Sequence, residues 1–193
     1  MDISSAAGSI LGAFGLSGAA GLNAWIPLFV TALLDRLDVI HLAAPYDRLS
    51  TTAGLIVLGA LTVADLVGDK VPAVDHALHA AGTVIAPIAG AVLFTGSAGQ
   101  GADLPTIVTA VLGGGTAGAL HLTRSAVRPL STATTGGLGN PVLSLIEDVA
   151  SIGLTVLALA LPVLGLLALV AIVAALVVAW RRIRRRRVAQ PAS

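Results

Sequence analysis

The chain closes with an uninterrupted apolar stretch, residues 161–180, and six arginines follow it within residues 181–187. An apolar helix of about 20 residues matches the ~30 Å hydrocarbon core of a bilayer. Clusters of Lys and Arg beside such a helix stay on the cytoplasmic side of the membrane. The sequence therefore predicts an integral membrane protein whose basic tail, residues 181–193, lies in the cytoplasm.

Composition supports the same class of protein. Hydrophobic residues make up 56% of the chain and charged residues only 11%, whereas a soluble domain carries about 25% charged residues. The chain has no cysteine, which excludes disulfides and thiolate chemistry. Six of the eleven basic residues belong to the tail. We interpret that charge as a topology signal and a binding site for anionic lipid, not for nucleic acid. We expect no cofactor.

Six apolar segments separated by polar residues predict an all-α polytopic membrane protein with six transmembrane helices in one domain, residues 1–180. The segments cover residues 5–34, 51–67, 74–95, 105–123, 141–161 and 163–180. The first segment is too long for one straight span. An even number of spans puts both termini in the cytoplasm.

Loop charges agree with that topology. Lys70, Arg124 and Arg128 then lie on the same side as the arginine tail. Only Arg36 and Arg48 lie outside. Because positive residues concentrate on the cytoplasmic side of membrane proteins, we expect the protein in a cytoplasmic membrane.

Closely spaced glycines occur in the first and fourth apolar segments. Residues 17–21 align with residues 114–118, and each stretch opens a unit of three segments, residues 1–96 and 105–180. A three-span unit repeated in tandem takes opposite orientations, so the pattern predicts a 3+3 inverted repeat. Two interpretations of the glycines stay open: they interrupt the first helix of each half, or they let neighbouring helices approach closely. The glycines are Gly15, Gly18, Gly21, Gly114, Gly115 and Gly118.

Ionisable residues inside membrane spans are costly and therefore point to function. Asp65 and Asp69 lie about one helical turn apart near the cytoplasmic end of the second segment. Glu147 and Asp148 lie at a similar depth in the fifth segment, and His121 lies in the cytoplasmic half of the fourth. We predict that these side chains converge in one acidic cluster.

Two interpretations of this acidic cluster stay open. In the first, the acids form ion pairs with Lys70, Arg124 and Arg128 and hold three helices together. In the second, the acids bind a cation or relay a proton. Asn23 follows Gly21 closely and either caps a helix or coordinates a ligand at a helix break. The sequence leaves open whether a metal ion binds.

Three motifs resemble a bacterial membrane family known as domain of unknown function 4126. They are GAAGLNAW at residues 18–25, GDKVPAVD at residues 68–75 and GNP at residues 139–141, followed by Glu147-Asp148. The motifs are spread over most of the chain. The resemblance implies membership of that family and no particular activity.

A second, partial resemblance concerns the sequence DLVGDK at residues 65–70. It is similar to the Glu-x-Gly-Asp-Lys signature of small cation/proton exchangers, which are built from two inverted three-span repeats. Here the acid stands four residues before Asp69 instead of three, and the second half has no Gly-Asp-Lys. The resemblance implies cation coordination by Asp65 and Asp69.

From these features we expect a small transporter or channel for a cation or a proton-coupled solute, embedded in lipid and assembled as a homodimer, and not an enzyme. The alternative is a non-catalytic assembly or scaffold protein whose buried charges are structural. A third interpretation is an intramembrane serine hydrolase. There Ser17, within Gly15-Leu16-Ser17-Gly18, is the nucleophile and His121 is the base.

Overall fold

A computed structural model describes residues 3–99, 102–126 and 139–188, and this part of the chain is helical. It contains seven α-helices and one short 3-10 helix. In chain order they are α1 (Ile3–Leu22), α2 (Trp25–Arg36), the 3-10 helix (Tyr46–Ser50), α3 (Thr52–Gly68), α4 (Pro72–Ala98), α5 (Thr106–Ser125), α6 (Asn140–Ala160) and α7 (Pro162–Val188). The predicted all-α class is confirmed for these residues.

Four of the helices are long and apolar enough to cross a bilayer. Their apolar stretches are Ala77–Ala98, Thr106–Ser125, Asn140–Ala160 and Pro162–Arg181. Two further stretches, Ala6–Leu22 and Thr52–Gly68, are apolar but shorter. Four long apolar helices indicate a membrane protein. The count of six spans and the inverted repeat stay predictions.

The first apolar segment forms a helical hairpin. Gly8 and Ser9 at the start of α1 line the same cavity as Ile40 and His41, which follow α2. The chain therefore runs out along α1, turns at residues 23–24 and returns along α2. We call the end of the bundle where α3 and α5 finish and α4 and α6 begin the acidic end, and the opposite end the far end.

Contacts between α1 and α7 show that these two helices run in the same direction. A Cβ atom built on Gly12 would lie 3.9 Å from Pro162, and one built on Gly15 would lie 3.7 Å from the backbone of Gly165. The start of α1 therefore lies at the far end, and α7 finishes at the acidic end. The hairpin thus adds a return that an apolar count does not reveal. The side of the membrane on which each terminus lies stays a prediction.

The glycines do not interrupt their helices. Both α1 and α5 continue through the glycine-rich stretches, so the prediction of helix breaks there is wrong. Close packing is what the structure shows instead. A Cβ atom on Gly21 would lie 2.6 Å from the carbonyl oxygen of Ala117, and one on Gly15 would lie 2.6 Å from Cβ of Ala158. Gly114 and Gly118 lie similarly near Pro87, whereas Gly115 faces open space.

The middle of the bundle is filled by one buried apolar cluster. It takes leucines from four helices, namely Leu16 of α1, Leu28 of α2, Leu58 of α3 and Leu93 of α4, and it includes several alanines. These leucines are each at most 7% exposed. The cluster separates the polar groups of the acidic end from those of the far end.

Candidate functional site

Asn23 occupies the turn between α1 and α2, and its side chain is 4% exposed. Its Oδ1 accepts hydrogen bonds from the backbone N–H groups of Trp25 and Ile26, at 3.0 and 3.3 Å. The side chain thus satisfies the first free amides of α2, as a capping side chain does. A turn at this depth needs such a partner, because a bilayer supplies no water to a broken helix.

The other end of the Asn23 amide binds two carboxylates. Nδ2 donates to Oδ2 of Asp65 in α3 at 2.8 Å and to Oδ1 of Asp148 in α6 at 2.9 Å. One asparagine therefore joins the α1–α2 turn to two other helices. Among the described residues, Asp65 has no salt-bridge partner, and its hydrogen bond comes from Asn23.

Asp148 continues into a second group of charges. Lys70, in the loop between α3 and α4, places its Nζ 2.6 Å from Oδ1 of Asp69 and 3.5 Å from Oδ2 of Asp148. Ser144, one turn before Asp148 in α6, donates to the other oxygen of Asp69. One ammonium group therefore serves two buried carboxylates.

Lys70 keeps its charge at neutral pH. Burial lowers the pKa of its ammonium group, but the hydrogen bond and charge of Asp69 and the charge of Asp148 outweigh burial. The pKa is therefore raised above its ordinary value. The group lies outside the helices, where water reaches part of it, since its side chain is 38% exposed.

A second ion pair lies beside the first. Nη1 of Arg124, at the end of α5, lies 2.6 Å from Oε2 of Glu147 in α6. Arg124 also approaches Nδ1 of His121, with Nη2 at 3.2 Å. The ring of His121 stacks on that of His79 from α4, with centroids 4.9 Å apart. The histidine stack joins α4 to α5, and the ion pair joins α5 to α6, beside the acidic cluster.

Two adjoining cavities open onto these groups. The larger has a volume of about 220 Å³ and is lined by Asn23, Asp65, His121 and Arg124 together with apolar residues of α3 and α4. The smaller, of about 30 Å³, shares Asn23, Asp65 and Arg124 and adds Asp69 and Asp148. The acidic cluster therefore borders space that a small solute or water can enter.

The structure brings most of the predicted site residues together. Asn23, Asp65, Asp69, Asp148 and His121 line these cavities. Glu147 joins them through Arg124, and Lys70 through Asp69 and Asp148. Arg128 lies outside the described residues. Within the ranges that the structure describes, no three His, Asp or Glu side chains are placed to hold a metal ion.

The predicted serine–histidine pair does not form. The hydroxyl group of Ser17 donates to the carbonyl oxygen of Gly90 at 3.0 Å, and the ring of His121 is engaged with Arg124 and His79. Ser17 thus fastens α1 to α4. The geometry gives no support to the hydrolase interpretation.

Sequence reasoning missed the polar stripe on α6. Its buried side chains include Ser144, Ser151 and Thr155 besides the acids, while Val149 and Val156 are exposed. Ser144 and Asp148 are four residues apart, which places them on one helix face. A search for polar residues at helical spacing, rather than for charges alone, would have found this stripe.

Two residues of α4 also belong to the site. Asp75 is 4% exposed and lines the smaller cavity together with His79. In the sequence both residues stand at the start of an apolar segment, where a position at the membrane surface explains their polarity as well as a role in the site does. Their spacing of four residues is the signal that they face the cluster together.

Replacing Asn23 by alanine removes both functions of its side chain. We expect the free energy of unfolding, measured by SDS titration in mixed micelles, to fall by about 1–3 kcal/mol, because the buried Asp148 and the half-buried Asp65 each lose a donor. Thr51→Ala is the matched control, because the exposed Thr51 side chain caps α3 by accepting from the N–H of Gly54 and otherwise donates to the carbonyl oxygen of Arg48. Equal losses in the two variants would show that the carboxylate contacts contribute nothing.

Comparison with known families gives one result. The family model described as "Domain of unknown function (DUF4126)" matches residues 10–182. No curated protein and no solved structure matches the chain. The similarity to cation/proton exchangers therefore has no named relative in support, while the family match covers nearly the whole bundle. The chain belongs to the DUF4126 family.

Proposed function

We propose that this protein is a small membrane transporter or channel for a cation or a proton-coupled solute, with its site at the acidic cluster. The observation that carries the proposal is the broken helix at Asn23. Transporters commonly place binding sites where a helix is interrupted within the membrane. Here the interruption holds Asp65 beside a cavity of about 220 Å³ and Asp148 beside the smaller one.

We further propose that α1 and α3 to α7 lie in the bilayer, with α2 as the returning arm of a hairpin. The outward faces support this, because they are apolar where a soluble protein carries charges. On α3, Ile56, Val63 and Val67 are each more than 60% exposed. Lipid is the proposed partner of these faces, and a second copy of the chain covers one of them in a homodimer.

The arginine tail sets the proposed orientation. The end of α7, which leads into the tail, lies with Lys70 and Arg124 at the acidic end. The positive-inside rule assigns that end to the cytoplasm, here the cytoplasm of a bacterium. The far end, with Arg36 and Arg48, then faces outward. Anionic lipid is the proposed partner of the tail.

Epitope tags at the two termini test this topology. We expect antibody to reach a tag before Met1 on intact spheroplasts, and a tag after Ser193 only once the membrane is permeabilised. We expect this result because α1 and α7 run in the same direction, so the start of α1 and the end of α7 lie at opposite ends of the bundle. Both tags reached only after permeabilisation would restore the six-span topology with cytoplasmic termini.

Asp65 is the proposed carrier of the transported charge. Its partner is the neutral Asn23 amide, whereas Glu147 and Asp148 already have cationic partners. A carboxylate without an ion pair gains more from an incoming cation or proton than one whose charge is already neutralised. Binding of an ion or proton to Asp65 then alters the hydrogen bond from the Asn23 amide. The change reaches the α1–α2 turn, because Asn23 belongs to that turn.

The ion pairs also favour the scaffold interpretation, in which the charges only hold helices together. Flux into proteoliposomes separates the two functions, with H⁺, Na⁺, K⁺, Mn²⁺ and Ca²⁺ tested in turn. We expect Asp65→Asn and Glu147→Gln to lower flux to the level of protein-free vesicles. Asp47→Asn is the control, because Asp47 is exposed on the 3-10 helix away from the cluster.

Flux through Asp65→Asn decides the role of Asp65. Unchanged flux in this variant, on protein that elutes as the wild type does in size-exclusion chromatography, would reject Asp65 as the carrier. No flux of any of the five ions in the wild type would reject the cation hypothesis and favour the scaffold. The variants would then differ from the wild type in stability alone, as ion pairs with a purely structural role predict.

A further inference from the structure

A second cavity lies at the far end of the bundle. It has a volume of about 270 Å³ and is lined by the first turns of α1, the residues after α2, and the ends of α4 and α6. A space of this size admits several water molecules. The hydroxyl groups of Ser9 and Ser97 and the ring of His41 are its polar lining. Among the described residues, no Asp, Glu, Lys or Arg lines it.

This far cavity and the larger acidic-end cavity lie along one face of α1. Gly12 and Leu16 line the far cavity, and Ala20 and Asn23 line the other. These positions follow each other at spacings of three or four residues, which keeps them on one helix face. At a rise of 1.5 Å per residue, Leu16 and Ala20 are about 6 Å apart along the axis.

What separates the cavities is a thin apolar layer. We call Leu16 and Ala20 of α1 with Ala89 and Leu93 of α4 the septum; all four belong to one buried cluster. Each of them is at most 2% exposed. Small and apolar side chains of this kind exclude water and so close a pore to ions.

We propose that the two cavities are the two halves of one pathway along α1, which the septum closes in this conformation. The inference rests on the proposed function and adds the route that the transported ion takes through the bundle. The far half offers hydroxyl groups and the His41 ring, and among the described residues it offers no carboxylate, so it suits a hydrated monovalent cation or a proton on water. The acidic half supplies the carboxylate that binds the ion after it sheds water.

The natural absence of cysteine allows a direct test of access from the two sides. Ser97→Cys probes the far cavity and Ala86→Cys the acidic-end cavity, both named among the lining residues. We expect a membrane-impermeant methanethiosulfonate reagent to modify Ser97→Cys from the outside only and Ala86→Cys from the cytoplasmic side only. Ala89→Cys is the matched control on α4, equally buried but in the septum, and we expect no modification from either side.

Opening the septum tests whether the halves are continuous. In proteoliposomes, Leu16→Ala is expected to raise passive K⁺ leak about tenfold, which corresponds to a barrier lower by about 1.4 kcal/mol. Leu154→Ala is the control, because Leu154 is 2% exposed but belongs to a different buried cluster away from both cavities. If Leu16→Ala does not elute as the wild type, Leu16→Val provides the same test with a smaller opening.

The labelling and leak experiments together test whether the two cavities form one pathway. One-sided labelling at both cavities together with leak in the Leu16 variant supports a single pathway. Labelling of both cavities from one side, labelling of neither, or the absence of leak in folded Leu16 variants overturns it. Because labelling and leak do not require active transport, wild-type protein without flux rejects the proposed function separately.

Discussion

Gly113→Ala is expected to lower the free energy of unfolding by about 1–3 kcal/mol, the range for adding a methyl group to a full core. A Cβ atom at this position would come within 3.0 Å of the carbonyl of Gly90 and of Cβ of Phe94. Neither neighbour moves cheaply. The carbonyl of Gly90 belongs to the α4 backbone and also accepts from Ser17. Phe94 is fully buried, with its ring edge-on to Phe14 at 4.9 Å. The two helices must therefore separate.

Gly115→Ala is the matched control in the same helix. A Cβ atom on Gly115 meets nothing within 4 Å, so no neighbour has to move. Alanine also has the higher helix propensity, by about 1 kcal/mol in peptides. We expect Gly115→Ala to be as stable as the wild type or slightly more stable in the same SDS titration. Equal destabilisation of both variants would mean that helix packing at Gly113 and Gly90 does not limit stability.

These glycines also show what sequence reasoning achieves in such a chain. The spacing of Gly15, Gly18 and Gly21 fits both close packing and helix interruption, and nothing local decides between them. The outcome depends on what lies opposite. Ala158 and Ala117 approach Gly15 and Gly21, but they are far away in the sequence. Propensity alone therefore cannot separate the two interpretations.

The turn at Asn23 has only a weak signal in the sequence. An asparagine followed by a proline in the next helical turn, here Pro27, is typical of a helix start. The apolar run through residues 5–34 hides it, because hydropathy treats the run as one long segment. The cavity that Gly8 and Ser9 line together with residues 40–41 shows that the chain reverses.

The acidic cluster is easier to predict. A carboxylate inside an apolar segment is costly unless it has a partner, so the sequence alone singles out Asp65, Glu147 and Asp148. Which partner each acid takes is beyond the sequence. Arg124 pairs with Glu147, and Lys70 approaches Asp148, while Asp65 is held by an amide. That difference follows from the positions of four helices, which no local pattern encodes.

Arg124→Met is expected to destabilise the protein more than Asn23→Ala or Gly113→Ala does. Glu147 is buried and Arg124 is largely so, with side chains 9% and 13% exposed, and their charged atoms are 2.6 Å apart. Removing the guanidinium leaves the Glu147 carboxylate without that cation in a site of low dielectric constant. Breaking a buried pair in this way costs about 3–5 kcal/mol. The measurement is again SDS titration of purified protein.

The double variant Arg124→Met/Glu147→Leu shows what the pair is for. Replacing both charges by apolar side chains of similar size removes the desolvation penalty along with the attraction, and the result is often neutral. We therefore expect the double variant to recover most of the stability lost in Arg124→Met. If its flux is also wild type, the pair only holds α5 to α6. If stability recovers and flux does not, Glu147 or Arg124 takes part in transport, because the packing of the two helices has been restored without either charge.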